Sequence, residues 1–174
     1  MQLFQSTTRR CTMFIVVAVD RNWAIGKNGG LLYRIPHDMA NFRELTIGKT
    51  IVYGRKTLET FPHGRPLEGR TNIILTRDKQ FSCEDATIIH SIDELSKYPS
   101  RELYIIGGAS VYQQLYRKCE YAFVTFIDNV TLDCDAFFPN IVAEGWERVV
   151  DTPVLHYKGL PYQFVTYKNP NPVD

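Results

Sequence analysis

At 174 residues, 44% of them hydrophobic, the chain can fill one core and falls short of two ordinary domains, so a single domain is expected. Twenty basic against nineteen acidic residues leave a formal charge of +1, without the basic surplus that duplex nucleic acid or an anionic membrane demands, so any anion site must be local. The cysteines, Cys11, Cys83, Cys119 and Cys134, form no CxxC pair, which argues against zinc or a disulfide scaffold and for thiols in a reducing cytoplasm.

Residues 1–12, MQLFQSTTRRCT, place their arginines after the only weakly apolar part, the reverse of a secretory signal; they read as a flexible extension ahead of one domain over 13–174. Translation from Met13 is a hypothesis that the intact mass of the natively produced protein tests. No run approaches the length of a membrane span. Eight strand-type clusters follow, at 14–19, 50–53, 72–76, 86–90, 103–106, 121–127, 146–150 and 162–167, with helical patterns at 38–45, 56–61, 92–98 and 109–118. Several of the earlier clusters are apolar throughout instead of alternating, as strands covered on both faces are. The last two are joined through 151–161 with no room for a helix, which predicts an antiparallel hairpin at one edge. The fold class is therefore α/β: a central eight-stranded, mostly parallel sheet with an antiparallel C-terminal edge strand, flanked by about four helices. There is no repeat, low-complexity tract or interdomain linker.

Three segments carry chemistry. In 24–45, AIGKNGGLLYRIPHDMANFREL, a glycine-bearing loop delivers one carboxylate, Asp38, to an apolar helix start. Such an aspartate is also ordinary in a first helical turn, where it favours the macrodipole. Its surroundings support more: Ala18, Ile25, Leu31, Tyr33, Ile35, Met39 and Phe42 can enclose it, and poor solvation raises an acid's proton affinity, as anchoring a protonated heterocycle requires. Two turns suit phosphate. Gly54-Arg55-Lys56-Thr57 follows a strand and opens a helix with a planar cation and a hydroxyl. Gly107-Gly108-Ala109-Ser110-Val111-Tyr112 follows another, its glycines letting a ligand approach the backbone, although it does not match G-x-G-x-x-G. Thr76-Arg77 closes the strand NIILT and suits a phosphate monoester. Each turn has a purely steric or solvated reading when taken alone; one acid with two anion cradles points to a nucleotide-dependent enzyme. His37, His63, His90 and His156 read as solvated or capping groups.

The order AVDRNWAIGKNGGLLYRIPHDMANFRELT, IVYGRKTLETF, GRPLEGRTNIILTR, LYIIGGASVYQQL and VTFIDNVTLDCDAFFP closely resembles dihydrofolate reductase of the bacterial chromosomal type, over residues 13–168. The resemblance implies NADPH-dependent reduction of 7,8-dihydrofolate, with hydride added at C6 and a proton at N5. It makes Asp38 the carboxylate on the pterin ring, with Thr125 linked to it through the ring or a water. Tyr33 stands where the family usually has a tryptophan that helps hold an active-site water. Arg70 becomes the partner of the α-carboxylate of the glutamate tail. Phe42, Phe61 and Leu67 become the aminobenzoyl wall, with Leu31 and Met39 also on the substrate. Ala18, Ile25, Ile106 and Tyr112 border substrate and nicotinamide. For the cofactor it implies Gly26, Gly54, Arg55, Lys56, Thr57, Leu75, Thr76 and Arg77, the two arginines recognising the 2′-phosphate. Gly107, Gly108, Ala109, Ser110 and Val111 would lie under the pyrophosphate, with a cis peptide between the glycines. It further implies a mobile lid over 22–35 with Gly26, Gly29 and Gly30, an adenosine-binding subdomain at about 50–101, binding of antifolates such as trimethoprim and methotrexate, and a cytoplasmic monomer without nucleic-acid or membrane partners. Two alternatives stay open: a same-fold pyrimidine reductase of riboflavin synthesis, and a noncatalytic pterin- or nucleotide-binding regulator.

Overall fold

The structure is a computed structural model that describes residues 11–98 and 102–174, so most of the expected N-terminal extension lies outside the described residues. The chain runs β1 (Thr12–Val19), β2 (Ala24–Lys27), β3 (Gly30–Leu31), α1 (Pro36–Thr46), β4 (Thr50–Gly54), α2 (Arg55–Leu58), β5 (Thr71–Leu75), β6 (Ala86–Ile89), β7 (Glu102–Gly107), α3 (Ala109–Leu115), β8 (Tyr121–Ile127), β9 (Ala136–Phe137), β10 (Glu147–Asp151), β11 (Leu155–Tyr157) and β12 (Leu160–Lys168). Eight strands lie in the order β10-β12-β8-β1-β7-β4-β5-β6, with β11 added against β12. The pairs from β8 across to β6 are parallel, and β12 is antiparallel to both β8 and β10. This is the α/β sheet with an antiparallel C-terminal edge that the sequence predicts.

The unalternating strands are explained by burial on both faces. Ile15, Val17 and Val19 of β1 join Val52, Ile73 and Ile105 in a cluster closed by Val111, Tyr112 and Leu115 of α3. Val16 points the other way, into a second cluster with Ile51, Tyr53, Ile74, Tyr104 and Ile106, against which Phe42 and Leu45 of α1 pack. Full burial of each large aliphatic side chain stabilises the fold by roughly 1.5–3 kcal/mol, so the sheet is a rigid floor. Past β1 the chain leaves toward β4, and past β7 it leaves toward β8. The carboxyl ends of these neighbouring strands therefore flank a crevice, the usual ligand position in an open parallel sheet.

Local differences from the predicted elements have identifiable causes. The helix expected over 56–61 stops at Leu58, because Phe61 precedes Pro62 and is held extended at φ −78°, ψ 158°. The helix expected over 109–118 tightens into a 3₁₀ turn, Tyr116–Lys118, before β8. The segment 92–98 is a 3₁₀ helix, Ile92–Lys97, whose Ser91 side chain accepts from the Asp93 N–H. The connection 151–161 contains β11, hairpinned onto β12. Finally, the segment that the resemblance implied as a lid contains a β2–β3 hairpin turned at Asn28 and Gly29, both at positive φ, and β2 pairs with β9 in a small separate sheet.

Candidate active site

Asp38 lies in the first turn of α1, two residues after the helix-opening Pro36 and three after the buried Ile35. Beneath it Ala18, Thr125 and Phe164 form a row of register partners across β1, β8 and β12. The buried Thr125 hydroxyl donates directly to Asp38 Oδ1 at 2.5 Å, where the resemblance implied a link through the ring or a water. The preceding residue of the helix, His37, sits over the neighbouring strand: Nδ1 is 3.0 Å from the Tyr162 hydroxyl and the ring meets Phe164 edge-on at 5.0 Å. Desolvation raises the Asp38 pKa, against the lowering effects of the Thr125 hydrogen bond and the nearby His37. Burial thus outweighs both, giving a carboxyl readier to hold a proton than an exposed aspartate.

The apolar candidates fall into neighbouring groups. Phe42, Phe61 and Leu67 pack with Ile106 in one cluster, Ala18 and Tyr33 belong with Ile35 to another, and Ile25 packs against the cluster that holds Tyr112. Leu31, in β3, and Met39, in α1, expose 59% and 51% of their surface. The Tyr112 hydroxyl donates to the Val16 carbonyl at 2.7 Å, and burial pushes its pKa up, so it is fixed and neutral. Tyr33 turns toward the loop after β8: its hydroxyl is 2.5 Å from Thr131 Oγ1 and accepts from Asn129 Nδ2 at 3.2 Å. At the other arm of the cleft Arg70 donates through Nε to Thr46 Oγ1 at 3.2 Å and through Nη1 to the Glu68 carbonyl at 2.8 Å. Burial first, and Arg43 beside it second, lower its pKa, which marks a locally cationic corner.

The two glycine turns meet. A Cβ placed on Gly54 would come within 3.2 Å of Val111 Cγ2, and one on Gly108 within 3.4 Å of Thr57 Oγ1. Gly107, at φ +130°, takes a conformation open essentially to glycine alone, and its peptide to Gly108 is cis as the resemblance implied. Gly54 pairs with Leu75, which brings Arg55 and Lys56 alongside Thr76 and Arg77. Arg55 is ion-paired with Asp78 at 3.0 Å and lies over the Phe81 ring at 5.5 Å; Thr76 Oγ1 accepts from the Asp78 N–H. Ala109 and Ser110 open α3 above this floor. Closely approached glycines with cations at the adjacent strand ends fit a dinucleotide with an extra phosphate.

Sequence reasoning overlooked Asp20. Fully buried at the end of β1, its carboxylate accepts from the N–H groups of Asn22, Ala24 and Thr131 at 2.8–3.0 Å. The Gly26 carbonyl accepts from the Asp135 N–H, and the Asn28 N–H donates to Asp135 Oδ2. These bonds fasten the hairpin to the 128–137 segment. An aspartate ending an apolar strand signals the local turn, but not the distant partners.

The sequence profile of dihydrofolate reductase matches residues 12–169. The chain belongs to the dihydrofolate reductase family. It is 35% identical over 136 residues to the dihydrofolate reductase of Staphylococcus aureus, covering 78% of this chain and 83% of that one. To the dihydrofolate reductase of Mycobacterium leprae it is 32% identical over 158 residues, covering 88% and 95%. Among solved structures it is similar to dihydrofolate reductase from Enterococcus faecalis in complex with NADP(H) and RAB-propyl, with a TM-score of 0.79, 32% identity and coverage of 90% of this chain and 95% of that one. Among the described residues no helix is long and apolar enough to cross a membrane, and no group of ligands could hold a metal ion.

Proposed function

We propose that the cleft at the carboxyl ends of β1, β7 and β8 carries the family's reaction, with Asp38 as the group that governs the proton. The protein is an NADPH-dependent oxidoreductase that reduces 7,8-dihydrofolate to 5,6,7,8-tetrahydrofolate and binds antifolates. When bound, NADPH supplies the hydride added at C6. The chain's own residues bind, orient and exclude water. Asp38 hydrogen-bonds the pterin and supports protonation at N5, with the Thr125 hydroxyl holding its carboxylate. Ala18, Ile25, Leu31, Met39 and Ile106 line the heterocycle, while Phe42, Phe61 and Leu67 take the aminobenzoyl group and Arg70 the α-carboxylate. Gly54, Thr57, Gly107, Gly108 and the residues that open α3 hold the pyrophosphate, and Arg55 and Arg77 the 2′-phosphate, with 50–101 as the adenosine half. Nothing in the comparisons supports the pyrimidine-reductase or noncatalytic alternatives.

The observation that carries this reading is the raised proton affinity of a carboxyl pinned by Thr125 at the head of an apolar cleft. If that carboxyl governs the proton, single-turnover hydride transfer is expected to slow as pH rises, with a midpoint above the ordinary aspartate value of 3.8. A rate unchanged from acid to neutral pH removes Asp38 from the proton's path. Tyr33, held by Thr131 and Asn129, is the residue we assign to ordering water beside the pterin; Tyr33→Phe should shift that midpoint while leaving NADPH affinity within about twofold. Thiols at Cys83, Cys119 and Cys134 support a cytoplasmic location, and the expected monomer is tested by light scattering on the purified protein.

A further inference from the structure

Behind the arm of the cleft farthest from Asp38, two polar side chains are sealed inside the sheet. Tyr53 of β4 is fully buried and Asn72 of the adjacent strand β5 is 3% exposed. The Tyr53 hydroxyl donates to Asn72 Oδ1 at 2.9 Å, and the same oxygen accepts from the Leu67 N–H at 3.1 Å. Asn72 Nδ2 donates to the carbonyls of Leu67 at 2.9 Å and Arg70 at 3.2 Å. The amide's orientation is dictated by its partners, because two carbonyls can only accept and a backbone N–H can only donate.

The Asn72 side chain therefore imitates a strand neighbour. It satisfies both the N–H and the C=O of Leu67, and a carbonyl of Arg70, in a segment with no ladder of its own. From that anchored backbone the Leu67 side chain enters the second core cluster and the Arg70 guanidinium reaches Thr46. The Tyr53 ring also meets Phe61 at 5.0 Å and 65°. One buried pair thus fixes three side chains, Phe61, Leu67 and Arg70, while neither member bonds to Asp38 or to Thr125.

We propose that Asn72, keyed by the Tyr53 hydroxyl, is a positioning residue for recognition of the aminobenzoyl-glutamate half of the substrate, acting on affinity for that half and not on the chemical step. This rests on the function proposed above and adds to it the residues that set the far wall. Burying a peptide group without its partner is expensive, so losing the amide lets the 67–70 segment shift and Arg70 lose its aim.

The test compares two substrates in the intact protein: 7,8-dihydrofolate, and 6-methyl-7,8-dihydropterin, which has the heterocycle and no tail. Asn72→Ala is expected to raise the dihydrofolate KM at least about tenfold with kcat within about twofold. Its kcat/KM for the dihydropterin should stay within about twofold. Tyr53→Phe, which removes a single donor, should show the same split at about threefold and decides the matter alone if Asn72→Ala does not fold. Losses in equal proportion for the two substrates, or no change with either, overturn the positioning role. A wild-type protein inert toward both substrates overturns the reductase reading and this inference together, whereas an active wild type with proportional losses overturns this inference alone.

Discussion

Asp38→Asn is expected to cut NADPH-dependent dihydrofolate turnover at neutral pH at least about a hundredfold, and at the same time to raise the melting temperature of the ligand-free protein. The two effects share one cause. Asparagine keeps the shape and can still accept from Thr125, but it holds no titratable proton for N5 and offers no charge to a protonated pterin. In the unfolded chain the carboxyl titrates near 3.8; in the folded protein burial raises that value. Between the two the folded state binds more protons than the unfolded one, so stability falls as pH climbs. The contribution of this group is complete below 3.8 and is lost as pH passes through the folded pKa. At neutral pH the wild type therefore holds a poorly solvated carboxylate that the variant does not. The melting-temperature gap should open in the variant's favour on going from acid to neutral pH, which calorimetry at the two values measures. Near-native turnover would sink the catalytic assignment; a variant less stable than wild type at neutral pH would sink the claim that burial dominates the Asp38 environment.

How far the amino-acid sequence reveals this arrangement depends on how local each cause is. The runs at 50–53, 72–76 and 103–106 are legible as buried strands because each owes its largely apolar, unalternating character to covering on both faces, a property written into a few consecutive residues. The glycine turns are legible for a similar reason: Gly107 takes a positive φ that strains any side chain, and Gly54 packs close against Val111, so a Cβ there is crowded. The β2–β3 hairpin is only half legible: its Asn28-Gly29 turn is a local signal, but its anchoring is not. Ala24–Lys27 is four residues long and becomes a strand by pairing with Ala136 and Phe137, far along the chain. Asp38 and Thr125 are likewise joined only by the fold; the family resemblance links them, and periodicity does not. Asn72 was available as a signal, a carboxamide inside an otherwise apolar strand, yet its partners at Leu67 and Arg70 belong to an irregular loop that no pattern describes.

The second large effect concerns the choice of cofactor. Arg55→Ala should raise the KM for NADPH by about ten- to a hundredfold while changing that for NADH by no more than about twofold, because a guanidinium meeting a phosphate dianion makes charge-assisted bonds that a ribose hydroxyl cannot replace. The register of Gly54 against Leu75 places this cation beside Thr76 and Arg77, so the site has the composition of a monoester clamp. Arg55 has a partner of its own, however, since it pairs with Asp78 at 3.0 Å with both side chains partly exposed. Such a pair is weak and screened, so a phosphate can displace the carboxylate, but it must compete with Asp78 for the guanidinium. Asp78→Asn should therefore tighten NADPH by a few fold and leave NADH unchanged, and in the Arg55→Ala background most of that gain should vanish. Equal losses for NADPH and NADH in Arg55→Ala would contradict 2′-phosphate recognition outright. A gain from Asp78→Asn that survives without Arg55 would instead place the phosphate beside Arg77 and Thr76, with the Asp78 carboxylate repelling it directly and not acting through the arginine it holds.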